Sequence, residues 1–121
     1  MKILIVDDDA GNRHLATRML SRDPQMAVSE VDSGSACLAL AATKKFDVIL
    51  MDISMPDMDG IETCARLRAL ETHAASCIIA CTAHAGTRDG QSFLDQGFTR
   101  VLTKPFLMDE LYSAMGSDTP R

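Results

Sequence analysis

The strongest constraint on the fold is an alternation of short apolar segments with segments of helical periodicity. Residues 2–7, 46–52 and 77–82 are nearly continuous in hydrophobic residues, which is typical of parallel strands covered on both faces. Residues 26–31, which alternate in polarity, and residues 99–104 complete five predicted strands. Such an alternation predicts an α/β domain in which right-handed crossovers place helices on both faces of a parallel sheet.

Five helices are predicted between and after these strands, from apolar residues at helical spacing and from bounding turn residues. Their predicted ranges are residues 10–21, 35–45, 60–70, 86–96 and 107–115. Gly97 would end the fourth helix. No repeat, linker or low-complexity tract interrupts the pattern, so we expect residues 1–121 to form a single domain without an effector domain.

Composition indicates an ordinary globular domain and narrows its partners. Of the 121 residues, 46% are hydrophobic and 24% are charged, and the apolar runs are far shorter than the ~20 residues of a membrane helix. Because no secretory signal pattern follows Met1, we expect a cytoplasmic protein. The formal net charge of −5 disfavours direct binding to nucleic acid and favours a protein partner or a metal ion.

The cysteines and two of the histidines carry no predicted chemistry. The four cysteines have neither the paired spacing of a zinc site nor the density of a secreted disulfide scaffold. We therefore expect them to be reduced and buried as small hydrophobic residues. His14 and His73 are expected to face water.

Residues that can carry chemistry stand at the ends of four predicted strands. They are Asp7, Asp8, Asp9, Asp52, Thr82 and Lys104. Ligands of open α/β sheets bind beyond the carboxyl ends of the strands, where these side chains would converge. A carboxylate cluster without His or Cys suits Mg²⁺, which would also relieve the repulsion among three adjacent aspartates. The lysine and the threonine can neutralise and hydrogen-bond a phosphoryl group.

Asp52 is the best candidate for a carboxylate that accepts phosphate covalently. It ends a buried strand, and the turn sequence MPDMDG that follows would leave its carboxylate open. Asp9 has a different explanation, because an acid directly before a helix is a favourable N-cap. We expect Asp9 to cap the first helix, and Asp57 and Asp59 to serve as loop and cap residues.

The chain resembles a response-regulator receiver domain over essentially its whole length, through the motifs ILIVDDD, DVILMDISMPDMDGIE, IIACTAHA and VLTKPF in that order. The residues within these motifs are similar to those of receivers in hybrid histidine kinases. The resemblance implies a flavodoxin-like, doubly wound (βα)5 fold with the strand order 2-1-3-4-5. It also implies a two-component phosphorelay function, with a phosphoryl group passing from a phosphohistidine of a histidine kinase or histidine phosphotransfer protein to Asp52. Such a domain catalyses only its own phosphotransfer and dephosphorylation, and is otherwise not an enzyme.

The resemblance also implies a set of metal ligands. Asp7, Asp8, Asp52 and the backbone carbonyl of Ser54 would hold Mg²⁺, with Asp8 as the direct ligand and Asp7 acting more through water. No other cofactor is implied.

The resemblance also implies roles around the phosphoryl group for further residues. Thr82 would hydrogen-bond it and Lys104 would pair with it, with a cis peptide between Lys104 and Pro105. His84 would line the entrance to the site, where side chains tune phosphoryl lifetime. Val101 stands where many receivers carry an aromatic ring, and a valine cannot swing as a ring does. We therefore expect no switch that couples the threonine to an aromatic ring. By resemblance alone, the last two helices and the last strand form the surface that passes the signal to a partner.

Two alternatives stay open on the sequence alone. A haloacid-dehalogenase-like phosphatase would use a DxD motif such as Asp7 to Asp9, but the later acids Asp109 and Glu110 fall inside the last predicted helix and not at a strand end. A degenerate receiver would bind partners without phosphorylation, which Val101 leaves possible although the other key positions are filled.

Overall fold

The computed structural model describes residues 1–83 and 87–116, with residues 87–89 described by their backbone alone. The strands are β1 (Lys2–Val6), β2 (Ala27–Val31), β3 (Val48–Asp52), β4 (Cys77–Thr82) and β5 (Arg100–Thr103). The helices are α1 (Ala10–Leu20), α2 (Gly34–Ala41), α3 (Gly60–Arg68), α4 (Thr87–Asp95) and α5 (Met108–Ala114), and a short 3-10 helix (Glu71–His73) precedes β4. The predicted alternation of strands and helices is confirmed.

The five strands form one parallel sheet in the order β2-β1-β3-β4-β5. This is the flavodoxin-like order that the resemblance implied. Asp52 pairs with Cys81 across β3 and β4, and Thr82 pairs with Thr103 across β4 and β5. Because the register keeps the strand ends level, the carboxyl ends of β1, β3, β4 and β5 meet at one edge of the sheet.

Two hydrophobic layers enclose the sheet, because successive strand residues point to opposite faces. Ile3 and Ile5 face the layer that contains buried residues of α1 and α5. Leu4 and Val6 face the other layer, which contains buried residues of α2 and α3. The edge strand β2 is only partly buried, which explains its alternating polarity. Among the described residues, no helix has the length and apolar character that crossing a membrane requires.

Local side-chain contacts start and end the helices largely as predicted. The Asp9 carboxylate accepts a hydrogen bond from the backbone N–H of Asn12 at 2.9 Å, which confirms Asp9 as the N-cap of α1. Asp59 caps α3 in the same way through the N–H of Glu62, also at 2.9 Å. Gly97 follows α4 with φ +108°, a conformation that glycine adopts without strain.

Two predictions near β3, the exposure of His73 and the first residue of the strand, are wrong. His73 does not face water: it is fully buried, and its Nε2 accepts a hydrogen bond from the backbone N–H of Phe46 at 3.2 Å. The carbonyl of Phe46 accepts a hydrogen bond from the Ser76 hydroxyl at 2.9 Å. Since side chains satisfy both backbone groups of Phe46, this residue does not pair in the sheet. β3 begins at Val48, two residues later than predicted. His14 is exposed, as expected.

Candidate functional site

Three carboxylates and one ammonium group meet at the carboxyl edge of the sheet. Lys104 Nζ donates to Asp7 Oδ2 at 3.1 Å and to Asp52 Oδ1 at 3.0 Å. Asp7, Asp8 and Asp52 each offer a carboxylate oxygen, and these oxygens all lie within 4.8 Å of one another. We call Asp7, Asp8, Asp52 and Lys104 the acidic cluster. It joins residues from the ends of β1, β3 and β5.

The two adjacent aspartates at the end of β1 differ in how they are held. Asp7 is buried, with 6% of its surface exposed, and its Oδ1 accepts a hydrogen bond from the backbone N–H of Asp9 at 2.9 Å. Asp8 is exposed, and within the described part of the chain its carboxylate makes no hydrogen bond or ion pair. Asp7 is thus fixed by the protein, whereas Asp8 has lone pairs available for an ion.

The electrostatic surroundings of Asp52 oppose its ionisation. Burial is the largest of several influences that together raise the pKa of Asp52 to about 6. The nearby Asp7 carboxylate also raises this pKa, whereas hydrogen bonding and charge attraction from Lys104 and a hydrogen bond from the Ser54 backbone act in the opposite direction. Burial lowers the pKa of Lys104, but its hydrogen bonds to Asp52 and Asp7 leave that pKa above its ordinary value. The lysine is therefore a stable cation beside two acids.

A backbone hydrogen bond between the ends of β4 and β5 places Thr82 and Lys104 next to each other. The N–H of Lys104 donates to the carbonyl of Thr82 at 2.8 Å, and Thr82 is 9% exposed at the end of β4. The peptide bond between Lys104 and Pro105 is cis, as the resemblance implied. Ser54 is exposed in the loop that follows Asp52.

The loop after β3 turns back closely over Asp52. The N–H of Gly60, the first residue of α3, donates to the carbonyl of Ile53 at 3.0 Å. A Cβ atom on Gly60 would collide with the carbonyl oxygen of Asp52, so only glycine fits there without a shift of the backbone. The N–H of Ile53 in turn donates to the carbonyl of Cys81 at 3.1 Å, which ties this loop to β4.

A cavity of about 320 Å³ borders the acidic cluster between α1 and the segment after β5. Its walls are mostly apolar and include Ala16, Leu50 and Phe106, while Asp52 and Lys104 lie at its polar end. Asp52 therefore adjoins open space although only 7% of its surface is exposed.

Sequence reasoning missed one group of polar residues next to the cluster. The Arg13 guanidinium donates from Nη1 to the backbone carbonyl of Asp7 at 2.7 Å, and its Nε lies 3.4 Å from Glu30 Oε1. Nothing in the sequence pattern pairs a helix residue with a residue of the edge strand, because that contact depends on how α1 is rotated over β2. His84, to which the resemblance gave a role in phosphoryl lifetime, lies outside the described residues.

The donor set of the cluster fits a hard divalent cation. All of its candidate ligand atoms are carboxylate oxygens, two of them on buried side chains and one on an exposed side chain. Mg²⁺ is usually bound by one or two carboxylates together with water, an arrangement that this mixture of buried and exposed oxygens permits. Asp9 is not part of the group, because its carboxylate caps α1.

Comparison with known proteins gives one family. The model of the response regulator receiver domain matches residues 3–116. The signal transduction histidine-protein kinase BarA of Escherichia coli K12 is 36% identical over 115 residues, which cover 95% of this chain and 12% of BarA. The chain thus spans only a small part of the curated relative.

Solved structures show the same fold. Chemotaxis protein CheY4 of Vibrio cholerae superposes with a TM-score of 0.88 at 29% identity, over 95% of each chain. The receiver domain of the sensor histidine kinase PA1611 from Pseudomonas aeruginosa has a TM-score of 0.83 at 33% identity, over 96% of this chain and 98% of that one. That domain holds a magnesium ion in its active-site cleft. With the fold, the acidic cluster and the matched family model, the chain belongs to the response regulator receiver domain family.

Proposed function

We propose that Asp52 is the phosphoacceptor of this receiver domain and takes its phosphoryl group from a phosphohistidine on a histidine kinase or a histidine phosphotransfer protein. The observation that carries the proposal is the position of Lys104, whose ammonium group lies within hydrogen-bond distance of both Asp7 and Asp52. Family membership supports phosphorelay signalling and weighs against the phosphatase alternative.

The proposed transfer uses each residue of the site in a distinct role. An Asp52 carboxylate oxygen attacks phosphorus, a P–O bond forms, and the P–N bond breaks as its electron pair returns to the donor imidazole. Because the pKa of Asp52 is about 6, most molecules carry the required carboxylate at pH 7. Lys104 would shift its hydrogen bond to a phosphoryl oxygen, and the Thr82 hydroxyl would donate to another.

Magnesium is the proposed cofactor, held by Asp7, Asp8, Asp52 and the backbone carbonyl of Ser54. When bound, the ion would neutralise charge that builds up between the carboxylates and the phosphoryl oxygens. The magnesium ion in the PA1611 receiver domain supports this assignment. The protein contributes a fixed Asp7 and an exposed Asp8, so that the ion would be bound partly through water.

Three further parts of the proposal follow from the sequence. Residues 1–121 would act as one receiver domain in the cytoplasm. Beyond accepting the phosphoryl group, the domain would catalyse only its hydrolysis and would signal by a shift between conformations. Its partners would be proteins, in keeping with the net charge of −5.

Titration with beryllofluoride, a mimic of the phosphoryl group, tests the proposal. With Mg²⁺ present, we expect the amide resonances around Asp52 and Thr82 to shift in the unmodified protein and in an Asp57→Asn variant, whose exposed loop acid lies outside the cluster. We expect no such shift in Asp52→Ala. Binding of the mimic by Asp52→Ala would contradict the proposal, and no binding by the unmodified protein would favour a degenerate receiver.

A further inference from the structure

A polar network outside the acidic cluster holds the backbone of Asp7 and Asp8, two of the proposed metal ligands. Arg13 of α1 donates to the carbonyl of Asp7 at 2.7 Å and pairs with Glu30 of β2 at 3.4 Å. The hydroxyl of Thr17, one turn further along α1, donates to the second carboxylate oxygen of Glu30 at 2.7 Å. Only 17% of the Arg13 side chain and 27% of the Glu30 side chain are exposed. The network therefore joins α1, β2 and the end of β1 in a largely enclosed place.

The contact between Arg13 and Asp7 acts on the direction of Asp8. The carbonyl of Asp7 and the N–H of Asp8 belong to the same planar peptide group. A hydrogen bond to that carbonyl limits rotation of the plane, and the plane sets where the Cα and side chain of Asp8 lie. The backbone N–H of Asp9 and the ammonium group of Lys104 already hold the Asp7 carboxylate, whereas that of Asp8 has no hydrogen bond or ion pair among the described residues.

We propose that Arg13 is a positioning residue of the metal site. It orients the Asp7–Asp8 peptide so that Asp8 faces the ion, and Glu30 and Thr17 hold Arg13 in that geometry. The inference rests on the proposed function, in which Asp8 is a direct ligand of Mg²⁺. Hydrogen bonds from neighbouring groups to metal-ligating residues fix the orientation of those residues. Losing one such hydrogen bond typically lowers metal affinity by about 10–100-fold.

An effect of the Arg13 charge and a positioning role of Arg13 predict opposite changes in Mg²⁺ affinity when Arg13 is removed. A guanidinium group close to the site repels a divalent cation, so an effect of charge alone would make Mg²⁺ bind more tightly to an Arg13→Met variant. A positioning role makes Mg²⁺ bind more weakly, because Asp8 loses its fixed direction. The sign of the change therefore separates the two roles.

The test is a Mg²⁺ titration of the full chain, monitored both by isothermal titration calorimetry and by the amide resonances of the protein. We expect Arg13→Met to bind Mg²⁺ about tenfold more weakly than the unmodified protein. The matched control is Arg18→Met, which removes an exposed arginine from the same helix and should leave the affinity unchanged. In the metal-free protein, the amide resonance of Asp8 should shift in Arg13→Met and stay in place in Arg18→Met.

An Arg13→Met variant that folds and binds Mg²⁺ as tightly as the unmodified protein, or more tightly, would overturn the inference. If circular dichroism shows that this variant is unfolded, Arg13→Lys decides, because a lysine keeps the charge but lacks the planar fork that reaches both Asp7 and Glu30. Wild-type affinity in Arg13→Lys would then overturn it. Failure of the proposed function looks different: the unmodified protein would not bind Mg²⁺, or Asp8→Ala would not weaken binding.

Discussion

The carboxylate of Asp52 is placed where burial and neighbouring charges act in opposite directions. Burial and Asp7 raise its pKa, and Lys104 lowers it, with a result of about 6. The folded protein thus carries a carboxylate that is ionised at neutral pH at a cost in stability. Such costs are common at functional sites, where the geometry needed for chemistry differs from the most stable one.

Replacing Asp52 with Asn is therefore expected to stabilise the metal-free protein at pH 7.5 by about 1–3 kcal/mol. The pKa of Asp52 is raised in the folded state, so the folded protein binds more protons than the unfolded chain between pH 3.8 and about 6. Stability from this group is then present at low pH and is lost as the pH rises through that window.

Urea unfolding with a metal chelator present, at pH 4 and pH 7.5, measures the effect. The difference between Asp52→Asn and the unmodified protein should be larger at the higher pH. A variant that is less stable than the unmodified protein at pH 7.5 would show that the contact of Asp52 with Lys104 outweighs the burial of its charge.

His73 is a second buried group whose charge matters, and the sign of its effect is opposite. Burial lowers its pKa from 6.5, and the nearby charges of Lys45 and Arg68 lower it further. The hydrogen bond from Phe46 needs a lone pair on Nε2, which also favours the neutral ring. Its contribution to stability is thus present above pH 6.5 and is lost as the pH falls below that value.

A His73→Gln variant cannot titrate in this range, and its side-chain oxygen can still accept a hydrogen bond. We expect the unmodified protein to lose stability relative to this variant when the pH falls from 7.5 to 5.5, as measured by urea unfolding. An equal pH dependence of the two proteins would mean that folding does not change the pKa of the His73 ring, and would contradict this account.

At the scale of elements, the strands were predictable and several contacts between elements were not. Continuous hydrophobic residues indicate β3 and β4 directly, because a strand covered on both faces has no polar side. Arg68 shows the opposite case: its guanidinium donates to the carbonyls of Gly97 and Ser76 and to the hydroxyl of Thr99. These acceptors are brought together only by the folded chain, so no local pattern marks Arg68 as the residue that joins α3 to the segments before β4 and β5.

The close approach of α3 to β3 gives a prediction at this scale. We expect Gly60→Ala to destabilise the protein by about 1–3 kcal/mol, because its Cβ would push against the carbonyl of Asp52. The shift of this loop should also weaken binding of the phosphoryl mimic. Thermal unfolding and the beryllofluoride titration measure the two effects.

Gly90→Ala is the matched control for that prediction. Gly90 lies in α4, and a Cβ atom there would meet nothing within 4 Å, so alanine should stabilise the helix by about 0.4–1 kcal/mol. Equal stabilities of the two alanine variants would contradict the account of the loop over Asp52.

For the whole molecule, the pattern of residues predicted an α/β sheet and the resemblance supplied its strand order. Aspartates, a threonine and a lysine at strand ends indicated the site, because parallel strands bring their carboxyl ends to one edge. What the sequence could not predict depends on how layers rotate over one another, as in the contact of Arg13 with Glu30. Val101 is partly buried against the layer of α2 and α3, and its short branched side chain has no ring that could swing.

The central claim is that Asp52 accepts the phosphoryl group, and intact mass after phosphorylation tests it most directly. With Mg²⁺ and an acyl phosphate donor, the unmodified protein should gain the mass of one phosphoryl group, and removing Mg²⁺ with a chelator should prevent the gain. Asp52→Asn should show no gain under the same conditions. A mass gain of the same yield on Asp52→Asn, or no gain on the unmodified protein with Mg²⁺ and the acyl phosphate, would contradict the account.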